Sequence, residues 1–146
     1  MNTDKQRYLQ YARTIKVTQL TKEDFKNLSD FRFRLTAFQR ESEAICKSHG
    51  LTSLQYLLLL HLKGFANREW ATISELSAKL HAKHHATVML IDRCSELELV
   101  ERRVSKKDKR CVEIHLLAKG EKLVEAIAWQ HRPELNHLQQ EFPLIE

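Results

Sequence analysis

Residues that interrupt helices are scarce in this chain. Only 3 glycines and 2 prolines occur among 146 residues, too few to punctuate a many-stranded barrel, so long helices are expected. Cysteine is equally sparse. Its 3 copies form no C-x-x-C pair, which sets aside a disulfide framework and fits a reducing cytoplasm. No stretch is long and apolar enough to span a bilayer, and the opening MNTDKQRYLQ is too polar for a secretory signal. The expectation is a cytoplasmic protein with no membrane partner. Catalytic signatures are missing too: no G-x-S-x-G, no H-E-x-x-H and no glycine-rich phosphate loop. Acids and histidines are dispersed along amphipathic segments. The chain is therefore read as not an enzyme and as needing no cofactor. It shows no internal repeat or low-complexity run.

What is present is ordinary in amount and specific in arrangement. Hydrophobic residues make up 42% and charged residues 29% of the chain, the balance of a globule. Its length suits a single domain over 1–146 with enough core to fold alone. A net charge of +5 and a pI near 9.2 admit an anionic partner.

Helical spacing dominates. Residues 1–20 are polar with scattered apolar side chains, a short arm or helix. Thr21 and Asp24 can cap a helix start. From there Leu28, Phe31, Leu35, Phe38, Ser42 and Ile45 recur at intervals of three and four, one stripe along a long helix. Phe25 and Phe33 lie off that stripe and give a second apolar face suited to subunit contact. Gly50 supplies the C-cap. Thr52 and Gln55 form a capping-box pattern that opens a helix with Leu54, Leu57, Leu58 and Leu62 inward. Lys63 to Trp70 reads as a loop. Thr72 and Glu75 form a second capping box, starting a short helix with Ile73, Leu76 and Leu80 inward.

A linker of roughly His81 to Lys83 leads to HHATVMLIDRCSEL, where Ala86, Leu90, Cys94 and Leu97 predict the inward stripe, flanked by Val88 and Ile91. His85, Met89, Asp92 and Glu96 point elsewhere. Two short helices across a tight turn are a helix-turn-helix unit. LVERRVS and CVEIHLL then alternate as strands. Val112, Ile114 and Leu116 share one face, Glu113 and His115 the other, and Val100 and Val104 can pair against them. After Gly120, the residues Leu123, Val124, Ile127 and Ala128 mark a helix ending before Arg132-Pro133. Leu135, Leu138 and Phe142 mark a last helix begun by Pro133.

The turn between the two strands is KKDKR. Lys106, Lys107, Lys109 and Arg110 surround one acid, Asp108, and repel each other unless a polyanion neutralises them. A solvated basic hairpin is the plain alternative. Spacing sharpens the reading. Asp108 and Arg110, followed by Ile114, Leu116 and Gly120, match the wing signature D-x-R-x-x-x-V-x-L-T-x-x-G. Upstream stand Leu90-Ile91-Asp92-Arg93 and Leu99-Val100-Glu101-Arg102 in register. Together these resemble the MarR family of winged helix-turn-helix transcription regulators, from about residue 24 to the C-terminus. His84-His85 is similar to a branch whose recognition helix opens with His-His-Ser. Glu98 departs from the family's Gly, Leu117 from its Thr and Cys94 from its Leu.

The resemblance implies a mainly α fold. A winged helix-turn-helix with a two-stranded wing would span 52–117, and dimerisation helices would span 21–49 and 118–146. It implies a homodimer on a pseudo-palindromic operator of double-stranded DNA, acting as a repressor in the prokaryotic nucleoid. A small aromatic or phenolic effector would bind between the dimer helices and the winged module, with Phe38, Tyr56, His61 and Trp70 as candidate lining or as core.

From the residues themselves, Lys83, His84, His85, Thr87 and Met89 would enter the major groove. Arg110 would enter the minor groove, where negative potential is focused. Lys106, Lys107 and Lys109 would meet phosphates. Asp108 would hold Arg110 or the turn. Of Arg102 and Arg103, one would meet phosphate and the other face a carboxylate. His81, His84 and His85 near Cys94 raise a zinc reading, which the break in the helix and the lack of a second cluster oppose; no metal is expected. Cys46 stays open as a redox sensor, although the tyrosines of the N-terminus, Tyr8 and Tyr11, have no cysteine beside them. Cys94 reads as a buried small hydrophobe. The competing function is a winged-helix module that docks a protein and binds DNA weakly or not at all, for which Asp92, Glu98 and Glu101 leave room.

Overall fold

A computed structural model describes Gln6 and residues 19–141, with side chains described through Leu138. Tyr8, Tyr11 and Phe142 lie outside the described residues. The chain divides into two units, residues 1–37 and 38–146.

Helix α1 (Lys22–Ser48) begins in the first unit. Thr21 and Asp24 cap it reciprocally: the Thr21 hydroxyl accepts from the Asp24 amide at 3.1 Å, and the Thr21 amide donates to Asp24 Oδ2 at 2.7 Å. The Thr21 amide and the Thr21 hydroxyl both donate to Asp24 Oδ2 and lower the carboxyl below its ordinary pKa. Phe25, Leu28, Phe31 and Phe33 are all exposed in this unit.

The second unit holds the end of α1, then α2 (Ser53–Lys63), β1 (Trp70–Thr72), α3 (Ile73–Leu80), α4 (His84–Glu96), β2 (Val100–Val104), β3 (Val112–Leu116) and α5 (Ala118–Glu141). Local chemistry sets the boundaries. Both bonds of the Thr52–Gln55 capping box form. At α3 the Thr72 oxygen accepts from the Glu75 amide at 3.2 Å. The reciprocal half is different there: the Glu75 carboxylate accepts from the Thr72 hydroxyl and pairs with Arg68. Gly50, at φ +76, closes α1 in a left-handed turn, with the Leu51 amide returning to the Cys46 carbonyl at 3.0 Å.

The sheet is antiparallel in the order β1-β3-β2. Val100 faces Leu116, Arg102 faces Ile114 and Val104 faces Val112, the pairing expected of the wing. The third strand replaces part of the expected loop. Trp70, Ala71 and Thr72 pair with His115, Ile114 and Glu113. Three residues are too few to show alternation, so this strand exists through its partner and not through its own pattern.

The core gathers Leu58, Leu59, Leu62, Leu76, Ile91, Cys94, Leu99, Ile114 and Ile127, all fully buried. Three details differ from the periodicity reading. In α2 the inward face is Tyr56, Leu58, Leu59 and Leu62, while Leu54 is exposed. In α4 it is Thr87, Ile91 and Cys94, while Ala86 and Leu97 are exposed. Both segments carry apolar residues on adjacent positions, so two phases of the 3.6-residue period fit, and tertiary packing selects one. The third detail is α5, one helix that continues through Pro133. Val124, Ile127 and His131 are buried along one stripe running up to the proline. That packing offsets the single lost backbone bond, whose cost is about 3 kcal/mol. Leu135, beyond it, is exposed. Lys63 ties α2 to α5 through Glu121 and, at 3.0 Å, Glu125, and the two carboxylates hold its ammonium well above its usual pKa.

Candidate nucleic-acid interface

The wing is built from its root outward. Leu99 and Val100 are buried, and the Leu117 amide donates to the Leu99 carbonyl at 2.9 Å. Gly120 lies so close to this carbonyl that a Cβ would collide with the Leu99 oxygen. This proximity accounts for the glycine of the wing signature: helix α5 starts against the backbone that launches β2. Glu98, just before it, adopts φ +58, and the Leu99 amide returns to the Cys94 carbonyl at 2.9 Å. The left-handed turn is therefore kept with glutamate where the family has glycine.

The tip is a closed turn. The Ser105 amide donates to the Cys111 carbonyl at 2.9 Å, and the Cys111 amide to the Asp108 carbonyl at 2.9 Å. Ser105 Oγ faces the Lys107 and Asp108 amides at 3.3 and 3.4 Å. Asp108 Oδ1 accepts from the Arg110 amide at 3.0 Å. Asp108 thus holds the backbone of the turn and not the Arg110 guanidinium, the second of the two tasks expected of it. Lys106, Lys107, Lys109 and Arg110 are exposed, and none forms an ion pair with a described residue. Ser105 was not singled out in the sequence, though a serine three residues before an aspartate at a turn is a recognisable local signal.

Behind the tip, Arg102 pairs with Asp92 of α4 at 2.6 Å and Arg103 with Glu101 of its own strand. Both arginines meet a carboxylate, where the sequence reading allotted one. Asp92 is exposed on α4 and would repel phosphate; Arg102 neutralises it.

Helix α4 presents Lys83, His84, His85 and Met89 to solvent, Met89 at 54% exposure. Its N-cap, Lys83, has no capping side chain, so the first amides of the helix lack a side-chain acceptor. Thr87 leaves the expected DNA-contacting set. It is 0% exposed, donates to the Lys83 carbonyl at 3.1 Å and accepts from the Ser77 hydroxyl at 2.9 Å. It bolts α4 to α3 and has no hydroxyl left for a base.

The four candidate effector residues do not all have the same immediate neighbours. Phe38 and Tyr56 flank His131, which stacks on Tyr56 at 5.2 Å and meets Phe38 edge-on at 6.1 Å. His131 is itself buried, with Nδ1–H donating to the Ile127 carbonyl at 2.8 Å and Nε2 against Ser42 Oγ at 2.7 Å. Trp70 belongs instead to the sheet, stacked on His115 and covered by the Arg68 guanidinium at 4.4 Å. His61 is half-buried, and burial with nearby Lys79 lowers its pKa. His131 was missed because a lone histidine on an apolar stripe carries no pattern of its own.

Cys94 is fully buried, which pushes its thiol up to about 11, whereas His81, His84 and His85 are exposed. No cluster of three or more metal-ligating side chains forms among the described residues. Cys46 is buried and its thiol raised. Among the described residues no helix is long and apolar enough to cross a membrane.

Two short helices joined by a tight left-handed turn, followed by a hairpin with a cationic tip, define a winged helix-turn-helix. The sequence model of the MarR family matches residues 49–110. YsmB of Bacillus subtilis (strain 168), an uncharacterized HTH-type transcriptional regulator, is 31% identical over 104 residues, covering 71% of this chain and 69% of that protein. The chain belongs to the MarR family of winged-helix transcriptional regulators. The fold agrees. AbsC, a MarR family transcriptional regulator from Streptomyces coelicolor, superposes with a TM-score of 0.69 at 18% identity, over 86% of this chain and 82% of that one. A mutant of S. aureus MepR, bound to an oligodeoxyribonucleotide, gives 0.64 at 21% identity, over 88% of this chain and 87% of that one.

Proposed function

We propose that this protein is a homodimeric repressor that covers a promoter by binding a pseudo-palindromic operator, in the cytoplasm and on the nucleoid. Helix α4 enters the major groove with Lys83, His84, His85 and Met89, and the wing tip enters the minor groove with Arg110. Lys106, Lys107, Lys109 and Arg103 contact phosphates. The observation that carries this reading is the tip: four exposed cations with no ion-pair partner among the described residues, on a turn whose only carboxylate is bound to backbone. Such a tip meets its missing counter-charge on DNA. The uncapped start of α4 adds free amides suited to a phosphate. The oligonucleotide bound to MepR supports the same assignment.

Dimerisation rests on residues 21–49 and 118–146, with 52–117 as the winged module. Exposed Phe25, Leu28, Phe31 and Phe33 on α1, and Trp129 and Leu135 on α5, favour it. A small aromatic effector belongs to this reading, with Phe38, Tyr56, His61 and Trp70 as its candidate lining.

Titration of duplex DNA over a range of salt tests the proposal. Log affinity should fall linearly with log salt. Lys106→Ala or Lys107→Ala should each reduce the slope by about 1 for every phosphate left without its cation. Sedimentation at micromolar concentration should show a dimer. Binding that ignores salt would replace this reading with a protein-docking winged module.

A further inference from the structure

Helix α4 turns one mismatched side chain toward solvent. Past its first turn the exposed residues are Met89, Asp92, Arg93 and Glu96, while Thr87, Ile91 and Cys94 are buried. The other three exposed residues are charged. Met89 is apolar and 54% exposed, the one large apolar side chain left open along the described length of α4. Ala86, three residues before it, is exposed as well, so the two form a small apolar spot on the outer face of the helix. We propose that Met89 is a specificity-determining residue that reads a thymine in each operator half-site, by packing its thioether chain against the C5-methyl group in the major groove. The inference rests on the regulator reading above and deepens it by naming the base that this position selects.

Three features carry it. The first is chemical. Met89 offers no hydrogen-bond donor, and its sulfur is a weak acceptor. A phosphate or a polar base edge gains nothing from it, and pressing one against it would strip water without giving a bond in return. Among the groups that base pairs present in the major groove, the thymine methyl is the apolar one. The second is position. Met89 stands four residues after His85, on the same face and about 6 Å further along the helix. It continues the surface that Lys83, His84 and His85 begin, away from the stripe that Thr87, Ile91 and Cys94 bury. The third is what borders it. Asp92, three residues on, is paired with Arg102 of β2 at 2.6 Å. That pair fastens α4 to the wing and keeps a bare carboxylate away from the base acceptors beside Met89. An unbranched, polarizable side chain held in such a place adapts readily to a methyl group.

Lys83, His84 and His85 supply charge and hydrogen bonds that a phosphate or more than one base can accept. Met89 adds a preference. Cytosine at the same place lacks the methyl and presents an amine donor, which Met89 leaves without a partner.

The test uses the full chain and a duplex that it enriches from a random pool. Each thymine of that duplex is replaced in turn by deoxyuridine, which keeps the pairing edge and lacks the methyl. One thymine in each half-site is expected to respond, its Kd rising about fourfold per methyl lost, the effect of one such group left in water. Met89→Ala should abolish the response at that thymine and leave the other thymines as before. Met89→Leu, apolar and of similar size, should retain it. Because the side chain is exposed, both variants should keep the urea midpoint of the native chain, so a lost response reports on the contact and not on folding. A duplex in which no thymine responds to deoxyuridine would overturn the proposal. So would a response that Met89→Ala leaves intact. Either result would leave the regulator reading standing, whereas a chain that enriches no duplex from the pool would refute that reading and this inference with it.

Discussion

At its root the wing is fastened by backbone: Leu99 and Val100 are buried, Leu117 donates to Leu99, and Gly120 presses against the same carbonyl. At its tip, five exposed residues between Ser105 and Cys111 are held by a few hydrogen bonds across the turn. Helix α4 repeats the contrast across its width. Thr87, Ile91 and Cys94 are buried inside, while His85 and Met89 stand outside. On the proposed function, stability and recognition fall to different atoms of the same elements. A change on one side should register in unfolding, and a change on the other in DNA affinity.

Gly120→Ala should break this division most forcefully. Its methyl would collide with backbone and not with a flexible side chain, so α5 or β2 must shift. The expected loss is about 3 kcal/mol or more, beyond ordinary overpacking, read as a lower midpoint in urea unfolding. Stability near that of the native chain would show that the root is pliant.

On the recognition side, Arg110→Ala should leave the urea midpoint alone and weaken DNA binding by about 1–3 kcal/mol per half-site, more at narrow minor grooves. Asp108→Ala should also weaken DNA binding, although it removes a negative charge from a loop proposed to face DNA. It deletes the acceptor of the Arg110 amide. Tighter binding of DNA by this variant would mean that the turn closes without Asp108.

Thr87→Val tests which side Thr87 belongs to. Because the hydroxyl bonds Ser77 and Lys83 out of solvent, its removal should cost about 1–2 kcal/mol of stability. DNA affinity of the folded protein should stay the same. A loss of sequence preference at unchanged stability would return Thr87 to the base-reading set.

The smallest effect is expected at Glu98, which holds φ +58 at the end of α4. Glu98→Gly should raise stability by about 0.5–1 kcal/mol by relieving the left-handed strain. A lower melting temperature would mean that the glutamate side chain stabilises the turn by more than its backbone strain costs.

Local signals were legible in the sequence because they act over three or four residues. Thr21, Thr52, Thr72 and Gly50 all do what their positions predict. The hairpin register followed from alternation, and the basic tip from its composition. What escaped depends on partners distant in the chain. β1 exists because β3 offers it an edge. Thr87 reads as polar until Ser77 is placed against it. His131 needs Ser42 and Tyr56. Pro133 signalled a break, which packing along α5 outweighed.

The sheet order β1-β3-β2 has a consequence for life in a crowded cell. A hairpin that must project into solvent risks recruiting strands from other molecules, because its outer strand carries unpaired amides and carbonyls. Here the central position goes to β3, the strand with the buried isoleucine. One border, β1, is only three residues long. The other, β2, places Glu101, Arg102 and Arg103 in succession. A short border and a charged border both discourage strand addition, so the finger resists aggregation through the same arginines that flank its basic tip.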